Sequence, residues 1–200
     1  MIDAAVEAIR AGRPVVLPTD TVYGLCADPY REAPARELYR IKARPPEQPI
    51  ALLVRDVELL FECVPELRGP AGTLVRALLP GPYTLILPNP AQRYRWLAGS
   101  RSDTIGVRVP RLAGLGTEVL ERVGAVAATS ANHHGGSDPR RLEDVPLEIR
   151  AGAAAVVDGG ELPGTPSTVL DFTGPEPRVV REGVVPAAEA LERALAATTG

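Results

Sequence analysis

The chain has 200 residues, of which 45% are hydrophobic and 24% are charged, and its formal net charge is −3. This composition is typical of a globular protein and excludes intrinsic disorder, and the negative charge excludes the polybasic field of an obligate nucleic-acid binder. No apolar run approaches the roughly 20 residues of a membrane span, and the first residues lack the apolar core of a signal peptide.

Short apolar segments alternate with helix signals along the chain. Gly12 and Pro14 end the first helix, and the turn at 80–82 ends another because proline cannot continue a helix. Eight short strands interleaved with helices indicate an α/β or α+β fold in which helices cover a twisted sheet. No linker separates two halves, so the sequence predicts one domain over residues 1–200. In chain order the predicted elements are helix 3–11, strand 14–19, helix 33–43, strand 50–54, helices 56–61 and 70–79, strands 83–87 and 104–109, helix 114–122, strands 125–129, 153–157, 167–172 and 178–182, and helix 186–197.

Motifs of the common nucleotide-binding and hydrolytic enzymes are absent from the sequence. It has no GxxxxGK[ST] phosphate loop, no GxGxxG after its first strand, and neither GxSxG nor HExxH. His133 and His134 are adjacent and do not share a helical face, so we interpret them as a polar loop tip rather than metal ligands. Cys26 and Cys63 form neither a CxxC pair nor a disulfide framework, which favours a reducing cytoplasm.

The basic residues are strongly biased, because Lys42 is the only lysine among 22 basic residues. Lys42 and Arg44 end a predicted helix just before Pro45 and Pro46. Cations at this place interact favourably with the helix dipole, which is a purely structural explanation. If the chain that follows the helix is rigid and extended, the side chains of Lys42 and Arg44 can also bind the same anion. The lysine ammonium would act as a point charge, and the planar arginine guanidinium could form two parallel hydrogen bonds.

Polar residues interrupt or end several apolar strands. The segment PTDTVYGL, residues 18–25, places two threonines around Asp20, which is either a capped turn or part of a site. The segment TSAN, residues 129–132, follows an apolar strand and precedes a glycine-rich turn, a common phosphate cradle. The other interruptions, each also compatible with an exposed strand face, are Thr104, Arg108, Ser167, Thr168 and Arg181.

Together these side chains describe a groove for a polyanion and a small polar molecule. The sequence shows no nucleophile–base pair and has only two histidines, so it indicates no catalytic triad. Catalysis by positioning and charge neutralisation, as in phosphoryl or nucleotidyl transfer, is the chemistry that these residue types support.

From about residue 5 to residue 185 the chain resembles the YrdC-type threonylcarbamoyl-AMP synthases. The motifs that carry the resemblance, in the family's order, are PTDTVYGL, KARP, LLPGPYTLIL, TIGVRVP, TSAN, GTPSTVLDF and VVREG. The resemblance implies the YrdC-like α/β fold, an open, twisted, mixed β-sheet with helices and a concave basic groove. The chain is similar to the short members of the family, without the additional C-terminal domain of the longer ones.

The resemblance also implies an activity, that of a nucleotidyltransferase called L-threonylcarbamoyladenylate synthase. Such an enzyme converts L-threonine, bicarbonate or CO2, and ATP into threonylcarbamoyl-AMP and pyrophosphate. The adenylate is the donor for the t6A modification at position 37 of tRNA, which a separate transferase complex completes. Mg2+ is expected with ATP, and a transient contact with tRNA is a further expectation. No residue is assigned as a metal ligand, and Asp20 is the nearest candidate carboxylate.

Individual positions take roles from the same resemblance. Thr21, Arg108 and Ser167 are expected to bind threonine. Lys42 and Arg44 are expected to be catalytic, because they would neutralise charge that develops on the phosphates in the transition state. The expected ATP ligands are Lys42, Arg44, Gln48, Thr104, Ser130, Asn132 and Arg181.

The chain departs from the family pattern after the SAN motif. The family continues with one residue and then Ser-Gly, whereas this chain has His133-His134-Gly135-Gly136, so the contacts of that serine are in doubt.

Two alternative functions remain open. The chain could instead be an RNA-binding module that uses the basic face, although 4% aromatic residues offer little stacking surface. It could also be a YrdC-like paralogue with other carbamoyl chemistry, against which Ser130 and Asn132 argue.

Overall fold

The computed structural model describes residues 1–111 and 113–198, and the predicted elements all lie within two residues of their expected bounds. The strands are β1 (Val15–Pro18), β2 (Tyr23–Ala27), β3 (Ala51–Val54), β4 (Tyr83–Pro88), β5 (Thr104–Arg108), β6 (Ala125–Ser130), β7 (Ala155–Val156), β8 (Thr168–Asp171) and β9 (Arg178–Arg181). The α-helices are α1 (Ile2–Arg10), α2 (Glu32–Lys42), α3 (Val57–Cys63), α4 (Pro70–Leu78), α5 (Leu115–Val123), α6 (Leu147–Gly152) and α7 (Ala187–Thr198). Short 3-10 helices are Pro65–Arg68, Arg95–Leu97 and Leu142–Asp144. Within these described ranges, no helix is both long and apolar enough to cross a membrane.

The strands form one mixed sheet in the order β7-β1-β2-β6-β3-β5-β4-β8-β9. The pairs β1–β7, β3–β5 and β4–β8 are parallel. The pairs β1–β2, β2–β6, β3–β6, β4–β5 and β8–β9 are antiparallel. Parallel neighbours need a crossover connection, and α3 and α4 lie in the one between β3 and β5. The α/β class with a mixed sheet, expected from the sequence, is confirmed.

Among the strands and α-helices of the described residues, one strand and one helix escaped the sequence-based prediction. β2 pairs with β1 in a register that runs out to Pro18 and Tyr23, so residues 18–25 are a hairpin turn that leads into a strand. All five residues of β2 are buried, and a strand buried on both faces lacks the alternation that marks a half-exposed one. α6 has six residues, which is too short for a periodic apolar signal.

Helices cover both faces of the sheet. α2, α3, α4, α6 and α7 pack on one face, where their apolar side chains join Leu25 and Leu52 in the larger hydrophobic cluster. α1 and α5 pack on the opposite face and enclose Leu17 and Leu53 in a smaller cluster. Leu52 and Leu53 are consecutive and belong to different clusters, because successive side chains of a strand point to opposite faces.

The helices on the second face cover only part of it. α1 packs on β1 and β7, and α5 packs on β1 and β6. Farther along the sheet, Leu53, Thr84 and Gly106 point to this same side and line an open cavity. The functional groups of the sequence therefore meet on the half of the sheet that α1 and α5 leave uncovered.

Candidate active site

A cavity of about 310 Å³ lies on the uncovered part of the sheet. Its lining comes from β2 to β6, β8 and β9, mainly from residues two apart on each strand, as expected for side chains on one face. Among the described residues, the charged side chains that line the cavity are all arginines: Arg44, Arg101, Arg108 and Arg181. A protein of negative net charge therefore has a distinctly basic cavity.

The turn between β1 and β2 forms one wall of the cavity. Thr19 organises this turn, because its hydroxyl donates to the carbonyl of Val22 at 2.7 Å and accepts from the backbone N–H of Thr21 at 3.2 Å. Thr21 is fully buried, and its Oγ1 lies 3.2 Å from Oγ1 of Thr19. The turn thus presents a hydroxyl whose position is fixed by a local hydrogen-bond network.

Arg108 lies at the centre of the cavity, and its Nη2 donates to the carboxylate of Asp20 and, at 2.9 Å, to Oγ1 of Thr21. The residue is only 7% exposed, so the surface position that a strand arginine suggests is wrong here. Its Nε is buried without a hydrogen-bond partner among the described residues. Burial lowers the pKa of Arg108, the carboxylate of Asp20 opposes this, and Arg181 adds to it. A buried guanidinium with a free N–H is a binding group for an anion such as a carboxylate.

Ser167 and Arg181 form the opposite wall, where β8 and β9 pair with an irregular register. The guanidinium of Arg181 donates to the carbonyl of Ser167 at 2.8 Å and to its hydroxyl at 3.2 Å. The Ser167 hydroxyl also lies 2.8 Å from Oγ1 of Thr84 in β4. Burial lowers the pKa of Arg181 as well, with an opposing contribution from Asp138.

Lys42 is 1% exposed and lies beside the cavity. Its Nζ donates to the carbonyl of Ser130, to the Ser130 hydroxyl at 3.4 Å and to Oδ1 of Asn132 at 3.0 Å. Burial, together with the nearby charge of Arg44, lowers the pKa of Lys42 to about 8. The lone lysine and the TSAN segment are therefore one hydrogen-bonded unit, although 88 residues separate Lys42 from Ser130.

Asn132 fixes this unit from the other side. Its Oδ1 also accepts the hydroxyl of Ser130 at 2.6 Å, and its Nδ2 donates to the carbonyl of Gly136 at 2.6 Å. His133 and His134, between these residues, are exposed and occupy a turn, as expected for a loop tip.

Of three further candidate residues, Arg44 and Thr104 line the cavity and Gln48 does not. The Nη2 of Arg44 donates to the carbonyl of Pro49 at 2.9 Å, and its buried Nε has no partner among the described residues. The hydroxyl of Thr104 donates to the carbonyl of Arg101 at 2.9 Å. Gln48 contacts His134, with 3.2 Å between the two Nε2 atoms, outside the lining of the cavity.

The structure brings most of the candidate residues together. Those that line the cavity are Thr21, Arg44, Thr104, Arg108, Ser130, Ser167 and Arg181. Lys42, Gln48 and Asn132 lie outside its lining. Sequence reasoning missed Thr19, Thr84, Ser100 and Arg101 as lining residues. For Thr84 a signal existed, since it is the one polar residue in the strand YTLIL.

The described residues do not form a metal cage. No group of three or more histidine, cysteine, aspartate or glutamate side chains lies close enough to hold a metal ion in the ranges 1–111 and 113–198. Asp20, the nearest carboxylate, is committed to Arg108 and to the backbone N–H of Arg111, which it accepts at 3.2 Å.

A second cavity, of about 550 Å³, lies outside the sheet at the end of α2. Arg36, Arg40 and Arg95 line it together with the rings of Tyr39 and Trp96. Arg44 lines both cavities and so separates them.

Comparison with known proteins identifies the family. The Sua5/YciO/YrdC family model, described as telomere recombination, matches residues 7–183. A Mycobacterium tuberculosis protein, named provisionally as a threonylcarbamoyl-AMP synthase, is 35% identical over 92% of this chain and 84% of its own length. The threonylcarbamoyl-AMP synthase of Pyrococcus abyssi is 34% identical over 94% of this chain and 55% of its own length. Escherichia coli YciO, described as uncharacterized, is 32% identical over 92% and 89%.

Solved structures agree with these matches. The crystal structure of P. abyssi Sua5 complexed with L-threonine superimposes with a TM-score of 0.86 at 32% identity, over 96% of this chain and 56% of the other. The crystal structure of E. coli YciO gives a TM-score of 0.77 at 30% identity, over 92% and 89%. The chain thus spans little more than half of the Pyrococcus proteins it matches.

The fold and the cavity define an α/β protein with a basic groove on one face of a mixed sheet. With the family match over residues 7–183, the chain belongs to the Sua5/YciO/YrdC family. Its fold is the YrdC-like fold expected from the sequence motifs.

Proposed function

We propose that this chain is an L-threonylcarbamoyladenylate synthase, a nucleotidyltransferase that uses L-threonine, bicarbonate or CO2, and ATP. The observation that carries the proposal is the pairing of Thr21 with a buried Arg108 whose bonds within the protein use Nη2 and leave Nη1 unused, in a cavity whose charged lining residues, within the described ranges, are arginines. Such a cavity suits a small amino acid and a polyphosphate together. The match to a family structure that holds L-threonine supports it.

We assign each substrate to one part of the cavity. Arg108 would bind the threonine carboxylate through the guanidinium N–H groups that Asp20 and Thr21 leave unused, beside the hydroxyls of Thr21 and Ser167, which also line the cavity. Arg44 and Arg181 would bind the ATP phosphates at the other end. Lys42 would supply a point charge to the phosphates from behind Ser130, and Thr104, Asn132 and Gln48 would complete the nucleotide contacts.

The reaction then proceeds in two bond-forming steps. The neutral amine of threonine attacks CO2 and loses a proton, which gives a carbamate. An oxygen of the carbamate attacks the α-phosphorus of ATP, the bond to the bridging oxygen of the β-phosphate breaks, and pyrophosphate leaves. Arg44 and Lys42 neutralise charge that builds up on the phosphates, so catalysis rests on positioning and electrostatics.

The Mg2+ expected with ATP finds no carboxylate cage among the described residues. The residues of the cavity therefore do not fit a protein-held metal, and we assign the ion to the phosphates of the nucleotide alone. Delivery of the adenylate to a t6A transferase complex, brief contact with tRNA and a cytoplasmic location belong to the same proposal.

Pyrophosphate release from ATP tests the proposal, with threonine and bicarbonate each added and omitted. We expect release that requires both. Release that is absent, or that does not depend on threonine, would leave the fold standing and reject the synthase. The control is D-threonine, which has the same charges and the wrong arrangement at its α-carbon.

RNA binding is the second candidate function, and one observation favours it. The second cavity combines Arg36, Arg40 and Arg95 with the rings of Tyr39 and Trp96, the two residue types that bind unpaired nucleotides. A salt-sensitive gel shift with tRNA in the absence of threonine-dependent ATP turnover would favour this function.

The other alternative is a YrdC-like paralogue with different carbamoyl chemistry. The match to E. coli YciO, which is described as uncharacterized, favours it, and binding of carbamoyl phosphate in place of threonine would support it.

A further inference from the structure

Within residues 1–111 and 113–198, Asp20 is the one carboxylate that pairs with Arg108 in the cavity. Its side chain and that of Arg108 are each 9% exposed, and Oδ1 of Asp20 accepts from Nη2 of Arg108. The other oxygen, Oδ2, accepts from the backbone N–H of Arg111 at 3.2 Å. Both oxygens of the carboxylate are therefore used within the protein.

We infer that Asp20 is a positioning residue that fixes the guanidinium of Arg108 for the carboxylate of the substrate. This inference rests on the proposed function. A guanidinium is planar, so the bonds from Nη2 to Asp20 and to Oγ1 of Thr21 hold its plane. Neither bond uses Nη1 or Nε of Arg108. Because Nε is buried without a partner among the described residues, Nη1 is the donor that we assign to the substrate. The substrate then meets an arginine whose orientation is already set.

Asp20 also balances charge at this place. Arg181 lowers the pKa of Arg108, and it lowers that of Arg44, so these three cations repel one another around the cavity. Without the carboxylate, Arg108 would be a buried cation with a hydroxyl as its partner, and it would turn away toward solvent.

If Asp20 had a competing role instead, its removal would have the opposite effect on threonine binding. If Asp20 competed with the substrate for Arg108, its removal would free the arginine and strengthen threonine binding. If Asp20 positions Arg108, its removal weakens threonine binding and leaves ATP binding nearly unchanged. The two roles separate in the KM for threonine.

Asp20→Asn is the test, because it removes the charge and keeps the shape. We expect the KM for threonine in pyrophosphate release to rise at least about tenfold, the loss of a charge-assisted contact, with the KM for ATP changed less than about twofold. The ratio of kcat/KM for L-threonine to that for L-threoninamide, which lacks the carboxylate, should fall in the variant. A merely structural role would change stability and leave this ratio intact.

Asp28→Asn is the matched control, since Asp28 pairs with Arg31 at 2.7 Å with 12% of its side chain exposed, away from the cavity. It should leave both KM values unchanged. If Asp20→Asn does not fold, Asp20→Ser removes the same charge with less volume and is measured in the same way. A threonine KM that stays constant or falls in a folded Asp20 variant overturns the inference alone. Wild-type protein without threonine-dependent release overturns the proposed function, and the inference falls with it.

Discussion

At the scale of single residues, the structure explains why one lysine stands among arginines. The ammonium of Lys42 is enclosed by three oxygens of Ser130 and Asn132 at the end of a buried side chain. A compact ammonium with three donors fits this arrangement, whereas a planar guanidinium is too wide and has the wrong donor directions. The position is therefore specific for lysine whatever its role in catalysis.

We predict that Lys42→Arg lowers pyrophosphate release at least about a hundredfold and lowers the free energy of unfolding by about 1–3 kcal/mol, because it overpacks a closed site. Lys42→Met, which keeps the volume and loses the charge, should bind ATP weakly and leave the acceptors on Ser130 and Asn132 unpaired. Steady-state kinetics and urea unfolding measure the two effects. Wild-type turnover in Lys42→Arg would contradict the argument.

ATP binding should also depend on pH through Lys42. Burial and the charge of Arg44, partly opposed by Asp138, lower the pKa of Lys42 to about 8. The binding-competent form is the protonated one, so affinity is full below about pH 7 and falls up to about tenfold per unit above pH 8. Titration calorimetry with ATP, in the absence of threonine, measures this.

The matched control for the pH effect is Lys42→Arg. Its guanidinium stays protonated throughout, so the variant should bind ATP weakly with a flat profile between pH 7 and 9.5. A sloping profile in that variant would assign the pH dependence to another group.

At the scale of elements, the strand and the α-helix that the sequence did not predict, β2 and α6, were missed for physical reasons. β2 shows no alternation of apolar and polar residues, because all five of its residues are buried. Only its pairing with β1 and β6 shows that Tyr23–Ala27 is extended, so the sequence alone indicated a turn or a site over residues 18–25. The helices and most strands were predictable because glycine and proline mark their ends and their apolar periods are clear.

The placement of α5 depends on one glycine. A Cβ on Gly116 would lie 2.2 Å from the carbonyl oxygen of Pro18, at the end of β1 where the site turn begins. We predict that Gly116→Ala lowers the free energy of unfolding by about 1–3 kcal/mol and raises the KM for threonine, because α5 must shift away from that turn. Urea unfolding and pyrophosphate release measure the two effects.

Gly174→Ala is the control for this close approach. A Cβ there would have its nearest contact 3.6 Å away, at the carbonyl oxygen of Glu176. Alanine lowers the conformational entropy of the unfolded chain, so Gly174→Ala should leave the free energy of unfolding unchanged or raise it slightly. An equal loss of stability in the two variants would contradict the role of the contact with Pro18.

At the scale of the whole molecule, the charge of the cavity differs in sign from the net charge of the chain. The net charge is −3, yet four arginines line the cavity, and several acidic residues, such as Glu32, Glu37 and Glu58, lie in exposed ion pairs. Exposed pairs of this kind add little to stability. The buried Asp171 is different, because it joins Arg101 at 3.1 Å and Arg178 at 2.7 Å across three segments of the far end of the sheet.

We predict that Asp171→Asn lowers the free energy of unfolding by about 2 kcal/mol at pH 7. Burial alone would raise the pKa of Asp171, but bonds from Thr173 and from the two arginines hold it well below its ordinary 3.8. Its contribution is therefore complete above about pH 5 and is lost as the pH falls below about 4. Urea unfolding of both proteins at several pH values checks this. A difference that persists unchanged at pH 2.5 would contradict it.

The sequence by itself determined the class of the fold, the order of the motifs and more than half of the polar residues that line the cavity. It could do so because apolar periods fix the elements locally, and because lone polar residues such as Arg108 and Ser167 stand out within strands. Only the tertiary structure decided which groups meet. Lys42 joins Ser130 across 88 residues and Asp20 reaches Arg108 across another 88, and contacts between such distant positions depend on strand order and register, which no local pattern encodes.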